Sequence, residues 1–283
     1  RQRQMCIRDR TCGPGVTQLM TALPAAVRAR IPIVILAGEA PLKSAWYNQG
    51  IDQAPFVIAT GAAYHSLHSP AQMLSKIRDA FVQAQKECRP VVLGIPFDLQ
   101  DLVWDSNENL PSPASDMLPV TSPIVPNPID LISATAKIDA AERIIIMAGL
   151  GAVEANAGSV CRSLAAACDG LLATSLPARG LFYEDPFSIG IAGGFSTETA
   201  RKCFSQADLI VAVGCSLASH NSDAGKLWPN AHTLQIDIDP VCLNQGYYAA
   251  SSHLRADARL GVEALLEKVV QREKSWRNKK LVQ

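Results

Sequence analysis

The sequence lacks the patterns that mark a metal-binding, disulfide-bonded or membrane protein. None of its eight cysteines forms a Cys-x-x-Cys pair, and its five histidines make no cluster with metal-ligand spacing. No apolar run approaches the ~18 residues of a membrane span. Its 26 basic and 26 acidic residues cancel, so no broad field favours nucleic acid or an acidic membrane surface. These absences, with scattered thiols and no signal peptide in view, favour a small-molecule site in a cytoplasmic protein.

Short apolar runs are abundant instead. Three of them, residues 31–38, 89–96 and 143–151, have the length and β-branching of buried parallel strands, and helical patterns lie between the runs. From Asp101 to Pro128 the chain carries six prolines and little periodicity, which predicts an extended surface linker. We therefore predict an α/β protein with two parallel, doubly wound sheets, of which the second has six strands.

Both ends of the chain carry specific expectations. Residues 1–10, RQRQMCIRDR, show no hydrophobic period, and we exclude them from the fold as foreign sequence. Residues 16–30 predict a helix that Pro24 kinks or ends. Residues 258–276 predict a closing helix, whose basic continuation is interpreted as a frayed helix end or a linker.

Four loops of small residues follow predicted strands of the second half. Gly149 and Gly151 precede a helix, where they suit either a phosphate at the helix N-terminus or a plain tight turn. Asp237, in IDIDP, suits either a ribose hydroxyl or the capping of its own turn. The other two loops are IAGGFST and GCSLASHNSD. Together they predict a long, nucleotide-like ligand across the carboxyl ends of the strands.

Residues 11 to about 275 resemble the thiamine-diphosphate-dependent enzymes of the acetolactate synthase-like group. The motifs TCGPGVTQL, NQGIDQ and RPVVLGIPFDL are similar to that group's pyrimidine-binding domain, and RIIIMAGLGAV, ADLIVAVGCSL and LQIDIDP to its central domain. The resemblance implies that residues 11–100 are the C-terminal part of a pyrimidine-binding domain and 101–127 a Pro/Ser-rich linker. Residues 128–275 would be a Rossmann-like central domain, and 276–283 the start of a linker to a further domain.

The resemblance also implies a cofactor, thiamine diphosphate with Mg²⁺. Thr11, Gly13, Pro14 and Gly15 would line the site of its pyrimidine ring, and Gln49 would face the substrate pocket. The family's catalytic Glu lies upstream of this turn, and its Gly-Asp-Gly…Asn metal motif belongs to a C-terminal domain. We therefore expect a fragment without catalytic or metal-binding residues of its own, which is inactive and binds the cofactor weakly.

Whether FAD accompanies thiamine diphosphate stays open at this point. The flavin-containing synthases of the family hold FAD in the central domain, and the matching segments here contain Gly149, Gly151, Leu176, Gly193, Gly214, Cys215, Ser216, Asp237 and Asp257. Two residues depart from the flavin pattern, Arg30 where the synthases have a small Ser, and Glu87 where they carry an Arg.

The activity that the resemblance implies is decarboxylation of a 2-oxo acid followed by carboligation. A site shared between subunits implies a homodimer or homotetramer, with no nucleic acid or membrane partner. A first alternative is another thiamine-diphosphate enzyme, such as a benzoylformate decarboxylase or a sulfoacetaldehyde-type enzyme. A second alternative is a nucleotide-binding module without catalysis.

Overall fold

The chain divides into two compact units, one that ends at Thr121 and one that begins at Ser122. The computed structural model describes residues 6–103, 110–119, 121–239, 249–273 and 275–278. The division between the units falls inside the proline-rich segment of the sequence, where few periodic apolar residues are available to join either core.

The first unit has four strands and six short to medium helices among its described residues. In chain order they are β1 Cys6–Arg10, α1 Pro14–Thr17, α2 Leu23–Arg28, β2 Ile33–Glu39, α3 Ala54–Ala59, β3 Ala63–Ser66, α4 Met73–Glu87, β4 Pro90–Pro96, α5 Phe97–Gln100 and α6 Ala114–Met117. The helix predicted over residues 16–30 is broken, because Pro24 lies in the first turn of α2 and a 3₁₀ turn separates α1 from α2.

The sheet of the first unit is parallel, in the order β1-β2-β4-β3. Strand β1 corrects the exclusion of all ten leading residues from the fold. Cys6 pairs with Ile33 and Arg10 pairs with Ala37, although β1 is largely exposed, as an edge strand can be. Backbone pairing requires no apolar side chains, so the sequence pattern gave no sign of this strand. The foreign origin of residues 1–10 stays a prediction.

The second unit alternates strands and helices throughout its described residues. In chain order they are α7 Pro128–Ala140, β5 Ile144–Ala148, α8 Leu150–Glu154, α9 Gly158–Ala167, β6 Leu171–Thr174, β7 Ser188–Ile191, α10 Glu198–Gln206, β8 Leu209–Val213, α11 Ser219–Ser222, β9 His232–Asp237, β10 Ser252–Arg255 and α12 Ala258–Leu266. The helix that the sequence predicts after β5, over residues 154–168, corresponds to α9, and the short helix α8 precedes it.

The six strands of the second unit are parallel and lie in the order β10-β9-β8-β5-β6-β7. Numbered within the unit, this is the 3-2-1-4-5-6 order of the doubly wound dinucleotide-binding fold. The five residues of β5 are completely buried, with α9 and α12 contributing to the core on one face and α10 on the other. The predicted α/β class and the six-stranded sheet are therefore confirmed.

The chain after α12 differs from the sequence prediction. The closing helix ends at Leu266, ten residues before the predicted end at Trp276. The described residues of the tail, 272–273 and 275–278, instead fold back on their own unit. The buried Asp169 carboxylate oxygen Oδ2 accepts hydrogen bonds from the backbone N–H groups of Ser275 at 2.8 Å and Trp276 at 2.7 Å. The described tail is thus a docked segment, and its interpretation as a frayed helix end is wrong.

Candidate functional site

The Gly-Pro-Gly turn of the first unit has a backbone conformation that only glycine adopts readily. Gly13 has φ +63° and ψ −103°, and a Cβ added there would lie 2.3 Å from the carbonyl oxygen of Gln49. That carbonyl oxygen also accepts a hydrogen bond from the Cys12 thiol at 3.3 Å. The turn and the Gln49 loop are therefore in direct contact, so the structure brings together two of the segments predicted to serve the cofactor.

The residues of this turn differ in their exposure to solvent. Thr11 and Pro14 are exposed, whereas Gly13 is buried against the Gln49 loop and a Cβ on Gly15 would meet the Thr11 hydroxyl at 2.4 Å. Burial, followed by the nearby Glu39 carboxylate, raises the pKa of the Cys12 thiol. Cys12 therefore stays a neutral thiol and packs, rather than acting as a nucleophile.

The side chain of Gln53 holds this turn in place, a role that the sequence gave no reason to expect. Its side chain is only 2% exposed. The amide oxygen Oε1 accepts from the Gly13 backbone N–H at 3.1 Å, while the amide nitrogen Nε2 donates to the Gly38 carbonyl at 3.0 Å. A single buried amide thus ties the turn to the end of strand β2.

A small polar network continues from Gln53. Its Nε2 donates to the Tyr64 hydroxyl at 3.3 Å, and Tyr64 donates to Oε1 of Glu39. The other oxygen of Glu39 accepts from Ser66 at 2.5 Å. Gly94 makes the space for this network, because a Cβ there would approach the Glu39 carboxyl carbon to 2.4 Å. The available signal was the carboxylate of Glu39 at the end of an otherwise apolar strand.

The predicted nucleotide site of the second unit lies along one edge of the sheet. Each of its six strands ends there, and the predicted residues follow those ends: Gly149 and Gly151 after β5, Leu176 after β6, Gly193 after β7, Gly214, Cys215 and Ser216 after β8, Asp237 at the end of β9 and Asp257 after β10. Leu150, Leu176 and Ile238 expose 41%, 38% and 46% of their surface, so this edge is partly apolar.

The glycines of this edge pack against one another. Gly149 donates its N–H to Val213 at 2.8 Å, and Gly151 donates to Gly214 at 2.9 Å. A Cβ on Gly149 would lie 2.2 Å from the Gly214 carbonyl oxygen, and one on Gly193 would lie 1.7 Å from that of His220. The tight-turn interpretation accounts for these contacts, because the N–H groups of both Gly149 and Gly151 are already bonded within the protein.

The polar residues of the edge have separate local roles. Asp257 caps α12 by accepting from the N–H groups of Arg259 and Leu260. Burial raises the pKa of the half-buried Asp237 carboxyl, and its Oδ1 accepts the backbone N–H of Asp239 at 3.3 Å. Burial also raises the pKa of the Cys215 thiol to about 11, so Cys215 is a packed thiol, while Ser216 is exposed.

A cleft that sequence analysis missed lies at the outer edge of the second sheet. Its volume is ≈ 460 Å³. The lining residues come from β6, β7 and the loop between them: Thr174, Arg179, Gly180, Phe182, Tyr183, Ser188, Gly190 and Ile191. Over the described parts of the chain, no three His, Cys, Asp or Glu side chains are grouped as metal ligands would be.

Comparison with known proteins places this architecture in a family. The family model described as "Thiamine pyrophosphate enzyme, central domain" matches residues 131–265, which is almost the whole second unit from α7 to α12. The chain belongs to the thiamine-diphosphate-dependent, acetolactate synthase-like family. The resemblance found in the sequence motifs is therefore confirmed.

Three curated relatives show how far the similarity extends. The chain is 30% identical over 237 residues to the "Probable acetolactate synthase large subunit" of Methanocaldococcus jannaschii, covering 82% of this chain and 40% of that protein. It is 28% identical to the acetolactate synthase large subunit of Parasynechococcus marenigrum, with coverages of 93% and 43%. It is also 28% identical to the "Probable 2-ketoarginine decarboxylase AruI" of Pseudomonas aeruginosa, with coverages of 92% and 46%. The chain thus spans less than half the length of these relatives.

A solved structure shares the fold. The X-ray structure of a Mycobacterium smegmatis protein, named as a thiamin diphosphate-dependent enzyme, superposes with a TM-score of 0.71 at 21% identity. The similarity covers 96% of this chain and 52% of that one.

The residues of the Gly-Pro-Gly turn fit one part of thiamine diphosphate, its pyrimidine ring. Gly13 and Gly15 bring backbone without side chains to the turn, which suits the flat face of a pyrimidine ring. Among the described residues no group of metal ligands is found, so a fit to Mg²⁺ is not seen there.

Proposed function

We propose that the chain is the ring-binding and central part of a thiamine-diphosphate-dependent enzyme that decarboxylates 2-oxo acids and joins the product to a second carbonyl compound. The observation that carries the proposal is the combination of a matched central domain with a Gly-Pro-Gly turn in contact with the Gln49 loop. When bound, thiamine diphosphate supplies the electron sink for loss of carbon dioxide. Thr11, Gly13, Pro14 and Gly15 would hold the ring, and Gln49 would face the substrate pocket.

The test uses the full-length protein that contains this chain. Purified with thiamine diphosphate and Mg²⁺, it is expected to consume pyruvate and to form acetolactate, measured as acetoin after acid decarboxylation. Omission of thiamine diphosphate is the control and should abolish turnover. A full-length protein that binds the cofactor but releases carbon dioxide from no 2-oxo acid contradicts the proposal.

A decarboxylase without carboligation is the second candidate. It is favoured by the similarity to the 2-ketoarginine decarboxylase, which covers nearly as much of the chain as the synthase similarity does. Parallel assays with pyruvate and 2-ketoarginine separate the two, because only a synthase yields a product longer than its substrate. Benzoylformate and sulfoacetaldehyde belong in the same panel as the remaining alternatives.

We further propose that the 283-residue chain on its own has no such activity and binds thiamine diphosphate weakly. This is supported by the absence of a metal-ligand group among the described residues. Calorimetric titration of the isolated chain with thiamine diphosphate and Mg²⁺ is expected to give little heat. Turnover of a 2-oxo acid by the isolated chain contradicts this part of the proposal.

Whether the enzyme binds FAD as a second cofactor is a question for experiment. The bonded N–H groups of Gly149 and Gly151 argue against a phosphate at that loop, whereas Asp237 still offers an acceptor to a ribose. The visible absorbance of the purified full-length protein decides it, since bound FAD gives flavin bands. Loss of those bands in Asp237→Ala would assign them to this edge.

The proposed active assembly is a homodimer or homotetramer. The first unit exposes several large apolar side chains close in sequence to Gln49: Leu42 48%, Trp46 78%, Ile51 44%, Phe56 48% and Ile58 59%. Single exposed apolar residues are common, but this many near one proposed site favours a subunit contact. Light scattering of the full-length protein is expected to give at least a dimer, and Trp46→Glu is expected to weaken it. As for the membrane, none of the helices in the described part of the chain is both long and apolar enough to cross one.

A further inference from the structure

In the polar network of Gln53, Tyr64 and Glu39, it is fixed which group donates each hydrogen bond and which group accepts it. Glu39, as a carboxylate, only accepts hydrogen bonds, and the Tyr64 hydroxyl donates to it. Burial, followed by the Glu39 hydrogen bond, raises the pKa of the Tyr64 phenol, which keeps its proton in place for that donation.

This direction determines how the Gln53 amide is oriented. Because the Tyr64 proton points at Glu39, the Tyr64 oxygen accepts from Gln53, and the Gly38 carbonyl can likewise only accept. Both groups therefore require the NH₂ side of the Gln53 amide. The amide oxygen is left to accept the Gly13 N–H at 3.1 Å.

We propose that Gln53 is the positioning residue of the Gly-Pro-Gly turn, and that Tyr64 and Glu39 fix the amide orientation with which it holds the Gly13 N–H. The inference rests on the proposed function only where it concerns the cofactor, whose ring the turn would contact. The hydrogen bonds of Gln53 themselves lie within the first unit, so they can be measured without any cofactor.

The first experiment measures the Gly13 amide in the 283-residue chain by ¹H–¹⁵N NMR and hydrogen exchange. Gln53→Met keeps the length of the side chain and removes both polar atoms. It is expected to speed exchange at Gly13 by about 10- to 100-fold, since a buried N–H loses its acceptor. Tyr64→Phe leaves Gln53 bonded to Gly38 and is expected to have a smaller effect of the same sign.

A matched control lies in the same network. Ser66→Ala removes the donor to the other oxygen of Glu39, which is outside the path to Gly13. It is expected to leave Gly13 exchange within about twofold of the wild type. If Ser66→Ala and Gln53→Met have equal effects, or if Gln53→Met leaves Gly13 exchange unchanged, the positioning role is refuted. Amides of β4, such as Leu93, report whether either variant unfolds the unit.

A pair of substitutions that exchanges the amide of Gln53 and the carboxylate of Glu39 provides a rescue test. Gln53→Glu keeps an acceptor for Gly13 but places a second carboxylate near Glu39 across Tyr64 and loses the donor to Gly38. Adding Glu39→Gln removes that like-charge contact while its amide oxygen still accepts from Tyr64. The double variant is expected to protect Gly13 better than Gln53→Glu alone, and a purely additive result refutes the coupling.

The second experiment uses the full-length protein and thiamine diphosphate. Gln53→Met is expected to weaken the apparent Kd for the cofactor about tenfold or more, with kcat at saturating cofactor little changed, because positioning acts on binding of the ring. A fall in kcat with an unchanged Kd refutes the cofactor part of the inference. If the wild type itself binds no thiamine diphosphate, the proposed function fails, while Gly13 exchange still decides the role of Gln53.

Discussion

The docking of the tail on Asp169 leads to a quantitative prediction about one charge. Asp169 is 3% exposed, and its Oδ2 accepts from three consecutive backbone N–H groups, those of Ser275, Trp276 and Arg277. Its backbone has φ +56°, a conformation that Asn tolerates about as well as Asp. Asp169→Asn therefore removes the charge while it preserves the shape, an acceptor oxygen and the backbone.

The expected cost follows from the two short hydrogen bonds. A bond to a charged acceptor is worth ~1.5–3 kcal/mol and a neutral one ~0.5–1.5 kcal/mol, so each bond loses about 1 kcal/mol. The bonds of Ser275 and Trp276 measure 2.8 Å and 2.7 Å, while that of Arg277 is 3.4 Å and counts little. The total of about 2 kcal/mol corresponds to a roughly 30-fold increase in tail opening.

Native-state hydrogen exchange of the tail amides is the assay. Exchange at Ser275 and Trp276 is expected to accelerate about 30-fold in Asp169→Asn, with strand β5 unaffected, because the tail opens locally. Asp139→Asn is the matched control, since Asp139 is exposed and, within the described part of the chain, accepts the single N–H of Val270 at 3.2 Å. Unchanged exchange at Ser275 and Trp276 in Asp169→Asn would show that the Asp169 charge does not hold the tail.

Three further perturbations test other parts of the structure. In denaturant unfolding, Gly13→Ala is expected to lower the free energy of unfolding of its unit by at least ~1 kcal/mol more than Gly180→Ala does in the other unit. Both glycines have a positive φ, but only a Cβ on Gly13 would meet a neighbouring atom, at 2.3 Å. Burial raises the pKa of Asp237 in the folded state, so the free energy of unfolding falls as the pH rises from the ordinary pKa of an Asp carboxyl through the raised pKa. Asp237→Asn should therefore raise the free energy of unfolding at neutral pH but not in acid. Cys215, with a pKa of about 11, should resist iodoacetamide at mildly alkaline pH while half-exposed Cys88 reacts; modification of both at equal rates would contradict its burial.

The sequence predicted the second unit well because its central strands, such as β5, β6 and β8, are buried on both sides. Runs such as IIIMA and LIVAV have no polar residue to confuse their period, and each is bounded by a Gly turn or a polar helix. Position at the carboxyl ends of strands follows from the parallel topology alone, so the predicted residues lie along one edge. Their individual roles did not follow, because the sequence does not show that Gly149 and Gly214 touch each other.

The failures have the same physical origin. Strand β1 is held by backbone pairing, and the tail by a carboxylate more than 100 residues away in sequence, at Asp169. Neither interaction leaves a periodic apolar pattern, which is the main signal that sequence reasoning uses. Gln53 was missed for a related reason, since a buried amide and an exposed one look alike until their partners are known.

The glycine turns of the two units are held in place by different kinds of contact. At the strand ends of the second unit, the N–H groups of Gly149 and Gly151 are bonded to the backbone carbonyls of Val213 and Gly214. In the first unit the N–H of Gly13 is instead bonded to a side chain, the amide oxygen of Gln53. Under the proposed function, this hydrogen-bond network would hold the backbone of the Gly-Pro-Gly turn in place for a flat ring to pack against it, and such preorganisation would favour binding of the ring.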